Sequence, residues 1–296
     1  MKTHSSKDLL SDFGRAPSSV MWIGVHPDDE VLPAPLLARW CVEGDARGAL
    51  LVASRGDGGS SFLPEAQGRL DEVRPIEMRE AADVLGMDLI QWDWGDVGAE
   101  NAEGVVEKWG RRVEGVGELK SRLAEAIREV APDVILTFDP RHGTTFHPAH
   151  MAMGRLVVEV VATFSEPRPR VYLVASRIER DEQGCVGLAA MAPEDPNLFV
   201  YDASERLPHA GRTAWSYAAA VARPHRTQLP TSLIDAMESA PENLQKLHFI
   251  RLDEKFDPDD ALYQEILRMQ RGAPDYLEGL PETILPPKID NNPKQG

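Results

Sequence analysis

The chain has 296 residues, 42% of them hydrophobic and 27% charged, two cysteines and a formal net charge of −16. That length and apolar content suffice to bury a substantial core, as one large domain or a domain with an appendage. The same figures exclude several classes: no apolar run approaches the ~18–20 residues of a membrane span, the first fifteen residues lack the apolar centre of a signal peptide, and acidic charge disfavours nucleic acid and anionic membranes. A cytoplasmic protein with a neutral or cationic small-molecule partner is expected; homo-oligomerisation stays open. Cys41 and Cys185 form no CxxC spacing, so a disulfide framework and a thiolate zinc knuckle are both unsupported, and any metal falls to histidine and carboxylate.

The first apolar run, residues 18–25, reads as a strand that ends at His26. Residues 31–43 then carry Leu32, Leu36, Leu37 and Trp40 at helical spacing, with Pro33 and Pro35 suited to a first turn. A second strand at 49–53 opens into the glycine-rich loop 55–61. Helical spacing returns over 72–85 and stops at Gly86, a strand follows at 89–94, and 95–117 is left unassigned. An amphipathic helix at 118–130 leads through Pro132 to the strand 134–138, the polar loop 139–147, a helix over 150–164 and a strand at 171–175. Later, 198–201 reads as a strand, 213–222 and 231–239 as helices, and 286–296 as a disordered tail. Alternating strands and helices predict an α/β, Rossmann-like fold with a mainly parallel sheet, helices on both faces and an additional C-terminal helical segment. The expected division is a domain over 16–230, an extension packed on it over 231–285, and the tail. Such folds place sites beyond the carboxyl ends of strands, where both histidine clusters fall.

His26-Pro27-Asp28-Asp29-Glu30 follows the first strand, and His147-Pro148-Ala149-His150 follows the strand 134–138. Three nitrogen or oxygen ligands can be drawn from these residues, with a position left for water, which is the pattern of catalytic rather than structural zinc. The plainer alternatives are that Asp28 or Asp29 caps the following helix and that the histidines are ordinary polar residues; either motif alone is weak, and the pair at two strand ends is stronger. No GxGxxG or P-loop lysine follows the first strand, which sets nucleotide binding aside.

These residues resemble the LmbE-like or PIG-L-like N-deacetylases. Gly24–Glu30 is similar to the family's first motif and His147–His150 to its second; Arg74–Glu77 with Ala81–Gly86 resembles its RxxE and LG helix, Asp96–Gly98 its acidic loop, and His225–Gln228 its HRSQ-type segment. The resemblance spans roughly residues 18–230. It implies zinc (Fe2+ can use the same ligands) on His26, Asp29 and His150, Asp28 as general base, a protonated His147 facing the oxyanion, and Arg74 and Asp96 on sugar hydroxyls. For Arg74 the plainer reading is an ion pair with Glu77 or another helix carboxylate. The implied reaction is hydrolysis of an N-acyl, foremost N-acetyl, amide on a glucosamine-type conjugate. A larger acyl group and a zinc- or sugar-binding module without turnover are the alternatives. Two positions depart from the pattern: Ala149 stands where many members have an acid, and Thr145 where some have tyrosine. Asp139 is the expected replacement for orienting His147.

Overall fold

The computed structural model describes residues 7–99, 101–253 and 256–259. The expected tail at 286–296 lies outside the described residues. In chain order the elements are β1 (Lys7–Asp8), β2 (Ser19–Gly24), α1 (Ala34–Cys41), β3 (Arg47–Val52), α2 (Leu70–Leu85), β4 (Asp88–Gln91), α3 (Ala102–Arg112), α4 (Val116–Val130), β5 (Val134–Phe138) and α5 (Pro148–Ala162). They continue as β6 (Arg170–Val174), β7 (Ser176–Arg180), β8 (Val186–Ala190), β9 (Leu198–Asp202), β10 (Arg206–Leu207), β11 (Arg212–Thr213), α6 (Ser216–Ala222), α7 (Thr231–Glu238) and β12 (Lys246–Arg251).

Eight strands form one sheet in the order β1-β9-β12-β6-β5-β2-β3-β4. Every neighbouring pair is parallel except the two made by β12, which runs against β9 and β6. The expected mainly parallel α/β fold is therefore present. Strands buried on both faces need continuous apolar runs, and β2 and β5 are buried along their whole lengths. The chain steps from β2 outward to β3 and β4, then returns to the other side of β2 to lay down β5 and β6. With right-handed crossovers, that reversal sends the helices of the two halves to opposite faces: α1, α2 and α6 pack on one another, as do α3, α4 and α5. It also opens a crevice beyond the carboxyl ends of β2 and β5, the topological switch point where ligands bind in open α/β sheets. Among the described residues no helix is long and apolar enough to cross a membrane.

Several elements go beyond the sequence reading. The unassigned stretch 95–117 contains α3, capped by the Asn101 side chain accepting from the Gly104 amide (2.9 Å). Residues 176–190 form the hairpin β7–β8, off the main sheet. Within the stretch expected to be a helical extension, α7 is followed by β12, an interior strand of the sheet.

Candidate metal centre and active site

Close packing at the end of β2 shapes the first motif. A Cβ on Gly24 would lie 2.6 Å from Trp22 Nε1 and 3.2 Å from Asp29 Cβ, so only glycine lets the Asp29 side chain fold back against the strand end. There Asp29 Oδ2 accepts from the amides of Val25 and His26, both at 2.8 Å, leaving Oδ1 to face His150 Nε2 at 3.1 Å. Asp28 takes a left-handed backbone (φ 103°), a costly conformation for a residue with a Cβ. Its amide donates to Glu30 Oε2 (3.1 Å), and Glu30 Oε1 meets His225 Nε2 at 2.5 Å. Glu30 and His225 are both fully buried. Burial opposes charge on His225, but the Glu30 carboxylate outweighs it and raises the imidazole pKa, so the two form an ion pair. The neighbouring Gln228 donates to the Pro27 carbonyl (2.5 Å), and Thr227 donates through its amide and hydroxyl to Glu77 (3.0 and 2.6 Å). Residues 225–228 thus brace the HPDDE turn from the far end of the domain. The sequence alone assigns Glu30 and His225 no role; the only signal it holds is an acidic residue closing HPDDE and a remote HRTQ run.

His150 lies in the first turn of α5, stacked on Phe138 (centroids 4.0 Å apart, planes at 4°) with Nδ1 donating to the Gly143 carbonyl (3.0 Å). That bond leaves an Nε2 lone pair aimed at His26 Nδ1, 3.1 Å away, and at Asp29 Oδ1. On its other side His26 Nε2 faces Asp96 Oδ1 at 3.5 Å, the carboxylate backing that typically orients a ligating histidine. Asp96, expected on a sugar hydroxyl, is turned to this ring. The His26 and His150 ring nitrogens and the Asp29 carboxylate come close enough to hold a cation or share a proton. The His26 Nδ1–His150 Nε2 and His150 Nε2–Asp29 Oδ1 spacings of 3.1 Å are near the ~3.3 Å between ligands of a tetrahedral ion with bonds of about 2.0–2.1 Å, and the other carboxylate oxygen, Oδ2, lies 3.9 Å from His26 Nδ1. The surroundings favour positive charge at this point, carried by a protonated ring or by a cation in its place: burial works against a charged His26, yet hydrogen bonds to Asp29 and Asp96 hold its pKa up to about 10. Burial would likewise raise Asp29, but His150 and His26 keep it well below the usual carboxylate range. A second trio shares two members: ligating atoms of His26, His147 and His150 all lie within 4.8 Å of one another, a group able to hold a metal ion. Of the two sets, only the one with Asp29 carries a negative charge.

Around this centre stand the other expected residues. Asp28 lines the cavity, and burial, reinforced by the Asp29 charge, raises its pKa to about 7. His147 is the N-cap of α5, its Nδ1 accepting from the Ala149 amide (3.3 Å), which puts the proton of the neutral ring on Nε2. Although its ring reaches the cavity, surrounding protein and the neighbouring His150 and His26 lower its pKa to about 4. Both causes run against the protonated His147 expected from the resemblance and favour a neutral ring. Asp139 does not orient it. The Asp139 carboxylate accepts from the Arg141 amide, Nε and Nη2 (2.9, 2.9 and 2.5 Å) and faces His142 Nε2 at 3.6 Å, and the role expected of it passes to the Ala149 amide. Arg74, also a cavity-lining residue, is buried and holds the glycine-rich loop, donating to the carbonyls of Gly56 and Ser60 and, at 3.4 Å, to Thr227 Oγ1. No ion pair joins it to Glu77, whose carboxylate binds Thr227 instead.

The sequence matches the family profile PIG-L: GlcNAc-PI de-N-acetylase over residues 21–161. It is 32% identical over 165 residues to a 1D-myo-inositol 2-acetamido-2-deoxy-alpha-D-glucopyranoside deacetylase of Thermomonospora curvata, a match covering 50% of this chain and 54% of that one. The chain thus spans about half the length of this curated relative. In structure it is similar to the N,N′-diacetylchitobiose deacetylase of Pyrococcus horikoshii (TM-score 0.54, 18% identity, covering 80% of this chain and 84% of that one). It is similar also to GalB, the 4-carboxy-2-hydroxymuconate hydratase of Pseudomonas putida (TM-score 0.52, 16% identity, covering 81% and 98%). A deacetylase and a hydratase sharing the fold mean that the fold leaves the reaction open, and the residues in the crevice must decide it. Those residues, from His26 to His150, lie within the region that matches the PIG-L family profile.

Proposed function

We propose that the protein is a zinc-dependent N-deacetylase that hydrolyses the N-acetyl amide of a glucosamine-type conjugate, releasing acetate and the free amine. The observation that carries this reading is the convergence of His26 Nδ1, His150 Nε2 and Asp29 on one point, with Asp28 beside them at a pKa of about 7. His26, Asp29 and His150 are the proposed ligands; a divalent cation held by them supplies Lewis acidity toward the amide carbonyl and acidifies a water. Asp28, half-ionised near neutrality, accepts the proton of the attacking water and returns it to the departing nitrogen as the carbon–nitrogen bond breaks. Neutral His147 offers its Nε2–H to the carbonyl oxygen as negative charge develops there. The names of the relatives point to a 2-acetamido sugar as the acyl donor. Arg74 and Asp96 remain proposed substrate contacts through whatever donor and acceptor capacity their protein partners leave. The free thiols of Cys41 and Cys185 accord with a reducing compartment such as the cytoplasm.

The test is direct. Protein stripped of metal and reloaded with zinc is given N-acetylglucosaminyl-inositol, N,N′-diacetylchitobiose and simple N-acetylglucosaminides, and acetate and free amine are quantified. Release in equal amounts, abolished by chelation and restored by metal, is expected. Metal-loaded protein that releases no acetate from any of them overturns the reading.

A further inference from the structure

The cavity that holds the candidate site is lined by two unlike sets of side chains. Its volume of about 800 Å3 lies high in the ~300–1,000 Å3 range of pockets for drug-sized ligands. One set is His26, Asp28, Asp29, Asp96, His147 and His150, all within the region matched to the family. The other is apolar and comes from beyond that region, on elements of which β8 and α7 touch: Ile178 on β7, Val186 and Leu188 on β8, Met191, and Leu233 and Met237 on α7. The polar side chains beside them are only partly engaged: Arg177 pairs with Glu179 and the Gln228 amide nitrogen donates to the Pro27 carbonyl, while Arg177 Nε and Gln228 Oε1 have no hydrogen-bond partner among the described residues, so the apolar character rests on the six hydrophobic side chains alone.

This apolar wall is fixed in place. A Cβ on Gly187 would lie 2.5 Å from the Leu244 carbonyl oxygen, so β8 can rest on the chain at 242–244 only because that position is glycine, and Leu188 makes a β-bridge to Gln245. On the other side the Trp215 indole donates to the Met237 carbonyl (2.8 Å), tying α6 to α7. A sugar laid against such a wall would leave hydroxyls without partners, at a cost; a hydrocarbon group would remove apolar surface from water at both partners.

We propose that this wall is a substrate subsite for an alkyl or aryl group carried by the amino-sugar conjugate, as its aglycone or as the acyl chain on its nitrogen. The proposal deepens the deacetylase reading and rests on it for the bond that is cut; the binding does not depend on it.

Two series of compounds test it on the full chain loaded with zinc: N-acetylglucosaminides with methyl, butyl and hexyl aglycones, and methyl glucosaminides with acetyl, butanoyl and hexanoyl on nitrogen. In one series kcat/KM is expected to rise about threefold to fourfold per methylene, and the series that rises identifies the position of the apolar group. The double variant Ile178→Glu, Met237→Glu is expected to flatten that slope. Calorimetric binding of the same compounds to zinc-loaded Asp28→Asn gives the slope without turnover. Chain-length-dependent binding with no turnover by the wild type keeps the subsite and removes the deacetylase reading. Turnover with no dependence on chain length in either series, or equal binding of methyl and hexyl compounds, overturns the subsite whatever becomes of the reaction, and the wild-type series decides even if the double variant fails to fold.

Discussion

The two halves of this molecule are organised by different physics. From β2 to α5 the proposed ligands and reacting groups follow the ends of the buried parallel strands β2 and β5, and their chemistry is written in runs of four or five residues such as His26–Glu30 and His147–His150. From β6 onward a hairpin leaves the sheet, β12 inserts against the direction of its neighbours, and apolar side chains from β7, β8 and α7 converge on the same cavity without any recurrent motif. Reactive groups need fixed identities at fixed spacing, so they leave a local signature; an apolar wall needs only volume and placement, which many sequences supply. The reaction is thus encoded in the first half and the choice of substrate, on the proposal above, in the second.

The largest effects test where the metal site ends and the reacting groups begin. Asp29→Ala is expected to lose bound zinc and to cut turnover by at least about 1,000-fold, since it removes a ligand and its charge. His147→Ala is expected to keep its zinc while losing about 100- to 1,000-fold in kcat, the usual range for one lost oxyanion donor. Metal analysis of the two purified variants decides. Zinc lost from His147→Ala and kept by Asp29→Ala would make the three histidines the ligand set.

The pH profile separates a neutral from a charged His147. Asp28 must be ionised to accept a proton, so kcat/KM should rise with pH and level off above an apparent pKa of about 7 or below, because a bound cation favours the carboxylate and moves it down. With the His147 pKa near 4, its ring is neutral throughout that rise and adds no falling limb on the alkaline side. A bell that falls again between pH 7 and 8, and loses that fall in His147→Gln, would restore the protonated ring.

A smaller effect lies in the brace that joins the two halves. Glu30→Ala leaves His225 buried without its partner and frees the Asp28 amide from the bond that holds its left-handed turn. Breaking a buried pair in this way costs about 3–5 kcal/mol, read as a lowered denaturation midpoint. Zinc content should stay near that of the wild type and kcat should fall about tenfold, with Glu30→Gln recovering part of both. An unchanged kcat in a folded Glu30→Ala would reduce the brace to a packing feature.

The same contrast explains what the sequence made legible. The switch from apolar strand to polar motif at Gly24–His26 and at Phe138–Asp139 was readable because parallel strands covered on both faces must be apolar throughout. The pattern passed over α3 because Gly104 and Gly110 lower helix propensity within it. It passed over β12 because Lys246, His248 and Arg251 interrupt the apolar residues, and its partners in β9 and β6 lie far away in sequence. In the site, residues within one motif were legible and couplings between motifs were not: His26 with Asp96, and Glu30 with His225, are contacts made only by the fold.

The smallest predicted effect bears on the second half alone. In Gly187→Ala the new methyl would press on the Leu244 carbonyl, a backbone atom that cannot swing aside as a side chain can, so β8 must lift from residues 242–244. Overpacking of this kind costs about 1–3 kcal/mol, or roughly 2–4 °C in Tm per kcal/mol for a domain of this size. Because β8 carries Val186 and Leu188 into the cavity wall, the substitution should lower kcat/KM for hexyl-bearing compounds more than for methyl ones, while zinc binding, set by residues outside the hairpin, is unaffected. Equal losses for both compounds would mean that the hairpin supports the whole cavity, and the division between a reacting half and a selecting half would have to be redrawn.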